Sequence, residues 1–248
     1  MLSGVLQYET RGGVAWLTLD RPEKLNAMPR AFFGELRDAL HAVDADEDVR
    51  AAIIAGNGRC FSVGGDIAEF AKLGDDEDRA SYVREAIVAL VAVEEATTPT
   101  VAAVHGAALG GGCELTMVCD IVVADTTARF GTPESSVGLI PGLGIVRGRS
   151  QLNNHWLKYM ILTGATLDAE EARLAGLAQI VVPPGRHLIE AERVATQVAS
   201  RSTSANASAK AILARDARAG LEDAVETVAT LMAGTDFAAG IAAFTHRR

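Results

Sequence analysis

The chain has 248 residues, 49% of them hydrophobic, and a formal net charge of −9. This length and composition suit a globular α/β protein with a substantial core, and the acidic balance disfavours nucleic acid or an anionic membrane as the main partner. The three cysteines show no CxxC spacing, so we expect neither a disulfide framework nor a zinc site. No secretory leader or membrane-spanning run is recognisable, and we therefore expect a cytoplasmic protein.

The first hundred residues alternate strand-like and helix-like patterns. The run "VLQYETRGGVAWLTLD" (5–20) predicts a β-hairpin, and "PRAFFGELRDALHAV" (29–43) has apolar residues at helical spacing. "VRAAIIAG" (49–56) predicts a buried strand. The acidic stretch "KLGDDEDRA" (72–80) predicts a solvated loop, and a helix is expected through "YVREAIVALVAVEEA" (82–96).

Two further buried strands are predicted at "TVAAVHG" (100–106) and "DIVVAD" (120–125). The segment between them predicts a short helix, whose buried side would be formed by Leu115, Met117, Val118 and Ile121. Strands that alternate with helices indicate an α/β body.

Asp168 and Glu171 have capping-box spacing and Gly176 ends the same pattern, which together predict a helix. A last strand is predicted in "LAQIVVP" (177–183), and only helical patterns follow. We therefore expect an α/β body over residues 1–185 and a helical region over residues 186–248.

Three segments carry residue types suited to chemistry: "CFSVGGDIAEF" (60–70), "GAALGGGCELTMVCD" (106–120) and "ARFGTPESSVGLIPGLG" (128–144). Consecutive glycines leave backbone N–H groups open to close approach, and Glu114 directly behind them is costly to bury unless it is used. Each segment also has a purely structural interpretation. "GGD" forms turns, glycines allow a helix to pack on a strand, and Glu134 suits the first turn of a helix.

Six motifs in order, "RPEKLNAM", "FSVGGDI", "VHGAALGGGCELTMVCDIVVAD", "ARFGTPE", "VGLIPGLG" and "MILTGATLDAEEARLAGLAQIVVP", resemble those of the crotonase, or enoyl-CoA hydratase/isomerase, family. The resemblance covers about Arg21 to Pro183. It implies a crotonase-like α/β spiral of strand–strand–helix turns, with a C-terminal helical region that mediates trimerisation. It also implies an acyl-CoA thioester substrate, a homotrimer or dimer of trimers, and no cofactor or metal, since coenzyme A is part of the substrate.

The resemblance also implies roles for individual residues. The amides of Gly65 and Gly111 would hold the thioester oxygen of an enolate in an oxyanion hole. Glu114 would activate water and Glu134 would supply the α-proton. The implied substrate-binding residues are Lys24, Ala27, Gly64, Asp66, Ile67 and Ala68.

Three functions stay open. An enoyl-CoA hydratase needs both carboxylates, because water must be activated and the α-carbon protonated. A Δ3,Δ2-enoyl-CoA isomerase, or another crotonase that only stabilises an enolate, needs one proton-shuttling carboxylate, for which Glu134 would suffice. A non-catalytic acyl-CoA-binding protein needs neither, so the presence of both residues favours the hydratase. The stretch "GIVRGRSQLNNHWLKYM" (144–160) departs from the Gly-Thr-Gln-Arg-Leu-like sequence usual in the family, so the acyl tail is left open. His105 is expected to pack or bond locally.

Overall fold

The structure is a computed structural model that describes residues 4–214 and 221–246. In these ranges the strands are β1 (Leu6–Arg11), β2 (Val14–Leu19), β3 (Ala51–Gly56), β4 (Thr100–Val104), β5 (Ala107–Leu109), β6 (Ile121–Asp125), β7 (Arg129–Gly131), β8 (Thr166–Asp168) and β9 (Ile180–Val182). The helices are α1 (Arg30–Ala45), α2 (Ile67–Phe70), α3 (Asp76–Glu95), α4 (Gly111–Val118), α5 (Gly144–Gln151), α6 (Asn154–Thr163), α7 (Ala169–Ala175), α8 (His187–Ala199), α9 (Thr203–Leu213), α10 (Leu221–Met232) and α11 (Thr235–His246). Short 3-10 turns cover Pro22–Lys24 and Pro133–Val137.

Six strands form the main sheet in the order β1-β2-β3-β4-β6-β9. The hairpin β1–β2 is antiparallel, and the remaining neighbours are parallel. A small second sheet has the order β5-β7-β8. The chain therefore visits the main sheet and then the small sheet in successive turns, β4 then β5 and β6 then β7, which is the predicted spiral.

Both faces of the central strands of the main sheet are buried. Residues of one parity along the central strands, such as Ile54 and Val104, face the large core with α1 and α3. Residues of the other parity, such as Ile53 and Val101, face α8 through Ala191 and its neighbours. Burial on both faces explains the nearly continuous apolar runs of these strands.

Most predicted elements are confirmed, and two details are wrong. Residues 72–80 are not a loop throughout, because α3 begins at Asp76: Asp75 accepts a hydrogen bond from the Asp78 amide, and acidic residues in the first turn suit the helix dipole. Ile121 lies in β6 rather than on the short helix, since α4 ends at Val118. The capping box of Asp168 and Glu171 is confirmed, with Gly176 as the C-cap.

The region beyond residue 185 is helical wherever the structure describes it, whereas residues 215–220 and 247–248 lie outside the described residues. α8 packs on the main sheet, α10 on α3, and α11 on the 133–137 turn. The boundary near residue 185 falls between β9 and α8 and stays a prediction. Among the described residues, no helix combines the length and apolar character needed to cross a bilayer.

Candidate active site

A cavity of about 500 Å³ lies where the two glycine-rich segments meet α3, α10 and the turn at 133–137. The cavity is bordered by nine of the ten residues that the sequence proposed for the site: Lys24, Ala27, Gly65, Asp66, Ile67, Ala68, Gly111, Glu114 and Glu134. The tenth, Gly64, is next to Gly65 in the chain. Residues spread over 110 positions of the sequence thus converge on one space.

The two glycine segments touch backbone to backbone. Gly64 has φ +86°, and a Cβ built on it would lie 2.7 Å from the Leu109 carbonyl oxygen and 2.8 Å from the Gly111 nitrogen. No other residue fits there without moving the chain, because both neighbours are main-chain atoms. This contact holds the "VGGD" and "GGG" segments side by side.

Two backbone amides are left free at this contact. Among the described residues, neither the Gly65 nor the Gly111 N–H donates a hydrogen bond, whereas the amides of Gly64, Asp66 and Gly110 do. A Cβ on Gly111 would lie 3.7 Å from the Gly65 nitrogen, so both glycines border the same small volume. Two unpaired donors that border a cavity are suited to an anionic oxygen.

Glu114 lies in the first turn of α4 and is buried. Its Oε1 accepts hydrogen bonds from the amides of Leu143 (2.9 Å) and Gly144 (2.7 Å), at the start of α5. Burial raises the pKa of Glu114, while these two donors act in the opposite direction because they favour the carboxylate. The two donors therefore anchor the oxygen and favour the ionised form, although burial outweighs them and keeps the pKa of Glu114 above its usual value.

Glu134 has the contrasting environment. It lies in the 3-10 turn behind Pro133, and its Oε2 is buried with no hydrogen-bond partner among the described residues. Burial raises the pKa of Glu134, and the nearby charge of Glu114 raises it further. Glu134 is thus held towards its protonated form.

α11 fixes the turn that carries Glu134. A Cβ on Gly240 would lie 2.7 Å from the Val137 Cα, so the helix backbone packs directly on the turn. The C-terminal helical region therefore contributes to the position of a site residue within the same chain.

The remaining proposed residues divide between the rim and the wall. Lys24 is exposed at the cavity edge. The Asp66 carboxylate is occupied by the protein, because it pairs with Arg21 at 3.0 Å and caps α2 through the Ala68 amide at 3.1 Å. Arg21 was not recognised from the sequence, because nothing there indicates its partner 45 residues away.

Sequence reasoning also missed the amides of Leu143 and Gly144 and the apolar wall of the cavity. Backbone donors have no side-chain signature. The wall includes side chains of three helices that are far apart in the sequence: Val83, Ala86, Ile87, Leu90, Val228, Met232 and Ile241.

The histidine and cysteine residues lie apart from this arrangement. His105 stacks on His187 with 4.5 Å between ring centroids and contacts the Gly58 carbonyl at 2.9 Å, which confirms local packing. All three cysteines are buried and free. Burial raises the pKa of the Cys113 thiol, which disfavours a nucleophilic thiolate. In residues 4–214 and 221–246 no group of three or more His, Cys, Asp or Glu is placed to hold a metal ion.

The raised pKa of Glu134 predicts a pH-dependent gain in stability for Glu134→Gln. A carboxyl group whose pKa is higher in the folded than in the unfolded chain makes the protein less stable as pH rises above about 4.3. The free energy of unfolding falls by at most about 1.4 kcal/mol for each unit by which the two pKa values differ. Gln mimics the protonated acid. The advantage of the variant over wild type, measured by denaturant unfolding, should therefore be small at pH 4.5 and grow towards pH 8. Glu23→Gln, on an exposed turn, makes the same chemical change at the surface and serves as the reference. A difference between Glu134→Gln and wild type that stays constant over this pH range would contradict the assignment.

The chain is similar to known proteins over nearly its whole length. Residues 9–248 match the family described as enoyl-CoA hydratase/isomerase. The chain is 40% identical over 251 residues to a probable enoyl-CoA hydratase of Rhizobium meliloti (strain 1021), covering 98% of this chain and 95% of that protein. It is 35% identical to a 2,3-dehydroadipyl-CoA hydratase of Escherichia coli (strain K12), covering 95% and 93%.

The fold gives the same result. A crystal structure of an enoyl-CoA hydratase/isomerase from Xanthobacter autotrophicus Py2 superposes with a TM-score of 0.89 at 29% identity, covering 98% of this chain and 93% of that one. The family match, the sequence identity to these relatives and the structural similarity each extend over nearly the whole chain. The protein belongs to the crotonase, or enoyl-CoA hydratase/isomerase, family.

Proposed function

We propose that this protein is an enoyl-CoA hydratase, which adds water to a 2-enoyl-CoA to give a 3-hydroxyacyl-CoA. The observation that carries the proposal is the pair of carboxyl groups in unequal environments, Glu114 held by two amides and Glu134 buried without a partner among the described residues, beside two free backbone donors. A hydratase requires each of these groups.

Glu114 acts as the base in this mechanism. Its carboxylate takes a proton from water, and the water oxygen forms a bond to the β-carbon of the enoyl group. The electron pair of the double bond moves onto the thioester oxygen, which the amides of Gly65 and Gly111 stabilise as an enolate.

Glu134 then acts as the acid. The enolate collapses and its α-carbon takes the proton of the Glu134 carboxyl, while Glu114 holds the proton from water; exchange with solvent restores both groups. The division follows from the environments, since the amides of Leu143 and Gly144 favour a charged Glu114 and burial favours a neutral Glu134.

The cavity beyond the carboxyl groups favours an apolar acyl tail. Its wall is formed by aliphatic side chains of α3 and α10, among them Ile87, Val228 and Met232. A hydrocarbon chain would displace water from this surface with a gain of about 25 cal/mol per Å². No cofactor beyond the coenzyme A of the substrate enters the mechanism. Assembly as a trimer or dimer of trimers, and a cytoplasmic location, stay predictions.

The two glutamates give the direct test of hydration. Glu114→Gln keeps an oxygen that can accept from Leu143 and Gly144, yet it removes the base. We expect loss of crotonyl-CoA hydration, followed by the decrease in enoyl absorbance, with slow isomerisation of a 3-enoyl-CoA retained. Glu134→Gln should abolish both reactions, because it removes the proton donor.

The outcomes separate the candidate functions. Wild-type protein that isomerises a 3-enoyl-CoA but never hydrates crotonyl-CoA would identify an isomerase, and protein that only binds thioesters would identify a non-catalytic member. Either folded glutamine variant with wild-type hydration would exclude the assigned roles.

The oxyanion donors can be tested with a matched pair at Gly65. Gly65→Ala and Gly65→Pro both place a Cβ about 2.7 Å from the Phe70 ring, which must shift, but only proline deletes the N–H. Loss of one such donor typically costs about 2.7–4 kcal/mol in the transition state, or roughly a hundred- to a thousandfold in kcat. We expect kcat of Gly65→Pro to be lower than kcat of Gly65→Ala by this factor, while the two variants bind the thioester with similar affinity.

Equal kcat for folded Gly65→Pro and Gly65→Ala would show that the Gly65 amide does not contact the thioester oxygen.

The apolar wall predicts a length-dependent effect of Ala86→Phe. Ala86 borders the cavity on α3, and a phenyl ring there would fill volume available to an acyl tail. We expect kcat/KM for 2-octenoyl-CoA to fall more than kcat/KM for crotonyl-CoA. An equal fall for both substrates would place the tail elsewhere.

A further inference from the structure

A buried ion pair lies behind the candidate base, in the stretch where the sequence departs from the family pattern. Arg147 of α5 is 3% exposed, and its Nε donates to Oε2 of Glu94 on α3 at 2.6 Å. A buried pair of this kind often contributes little net stability compared with apolar residues of similar size. The role of the pair is therefore better inferred from where it lies than from how much it stabilises the fold.

α5 is held by its packing on α4, α6 and α10 rather than by its own stability. It spans eight residues, which is too short to be stable alone, and its N-cap residue Leu143 makes no side-chain capping bond. Two of the amides at its start, Leu143 and Gly144, donate to Glu114 instead. The orientation of these donors therefore depends on how α5 is attached to the rest of the protein.

Arg147 provides such an attachment one turn further along. Its backbone N–H donates to the Leu143 carbonyl oxygen at 2.8 Å, while its side chain reaches Glu94. One residue thus links the main chain that holds Glu114 to α3, which also forms the cavity wall. On another side, α5 packs closely on α6, since a Cβ on Gly148 would lie 2.4 Å from a methyl carbon of Leu157.

Lys210 and Asp120 are the other charged groups that act on the Arg147–Glu94 pair. Lys210 of α9 is buried, pairs with Asp120 at 2.6 Å, and donates to the Val93 carbonyl beside Glu94. Burial raises the pKa of Glu94, whereas the charges of Arg147 and Lys210 lower it and that of Asp120 raises it. Arg147 is the cation that bonds the Glu94 carboxylate directly.

We propose that Arg147, paired with Glu94, is a positioning residue that fixes the Leu143 and Gly144 amides on the Glu114 carboxylate and so makes Glu114 competent as a base. This inference rests on the proposed hydratase function. Arg147 itself does not border the cavity and touches no reacting atom. It acts through the backbone of α5.

Replacing Arg147 should change the ionisation of Glu114, which a general loss of packing would not do. Without Arg147, α5 can shift and the two N–H donors lengthen. A carboxylate that loses donors becomes easier to protonate, so the ionisation midpoint of Glu114 must rise, and the acid limb of the kcat profile moves to higher pH. The groups that face Glu114 and would titrate with it include Glu134, so the two are followed together.

The test compares Arg147→Gln, Glu94→Gln and the double variant with wild type. We expect kcat to fall roughly ten- to a hundredfold with KM nearly unchanged, as for a displaced catalytic group, and the acid limb to rise by about one pH unit. The double variant should be no worse than the worse single variant. Arg147→Lys, which keeps the charge but not the planar guanidinium, should recover part of kcat.

A second measurement does not depend on turnover. The ionisation midpoint of Glu114, followed by ¹³C NMR of labelled glutamate carboxyls and assigned with Glu114→Gln, should rise in Arg147→Gln. Asp125→Asn serves as a control for lost stability, because Asp125 is buried and accepts from the Thr127 and Gly185 amides, remote from α5. It should lower Tm without moving this midpoint.

The results separate the two proposals. If wild-type protein hydrates no enoyl thioester, the proposed function fails, while the carboxyl titration still tests the anchor. A folded Arg147→Gln protein whose Glu114 midpoint and kcat profile are those of wild type would overturn the inference. An equal shift of the Glu114 midpoint and of the kcat profile in Asp125→Asn would also overturn the inference.

Discussion

The close contact between the two glycine segments is the constraint on which the site depends. Gly64 and Gly111 approach so closely that a single methyl on Gly64 would overlap main-chain atoms of the other segment. The contact leaves the Gly65 and Gly111 amides beside each other, and it places Glu114 in the first turn of the helix that begins at Gly111. A side-chain change elsewhere can be absorbed by rotamers, but this contact involves backbone only, so it allows few alternatives.

The carboxyl groups are the second constraint, since two acids in one buried space cannot both be charged without a large penalty. The structure resolves this by asymmetry. Glu114 receives two N–H donors from the start of α5, and Glu134 Oε2 receives none among the described residues. Burial raises the pKa of both groups, and the two donors favour the charged form only at Glu114. The proposed roles of base and acid thus rest on backbone geometry rather than on the residue types, which are identical.

The sequence predicted the parts whose requirements are local. Strands β3, β4 and β6 are nearly continuous apolar runs, and the glycine segments need open backbone, so both left clear patterns. The strands of the small sheet were not predicted because three residues each are too short to show alternation. The start of α3 was placed too late, although Asp75 and the acids after it form a recognisable helix start. The donors to Glu114 were not predictable, because a backbone amide leaves no trace in the residue type.

The start of α5 connects the cavity to the proposed base. Leu143 borders the cavity and donates its amide to Glu114, so one residue belongs both to the cavity wall and to the surroundings of the proposed base. Any change of α5 that reshapes the pocket must therefore also move the donors to Glu114. A contact that holds α5 from outside the cavity keeps the two donors in place when the cavity changes. The Arg147–Glu94 pair, one turn beyond the start of α5, is such a contact. Departure from the family sequence at residues 144–160 is then compatible with the chemistry, because the orientation of the donors is maintained from α3 rather than from the substrate pocket.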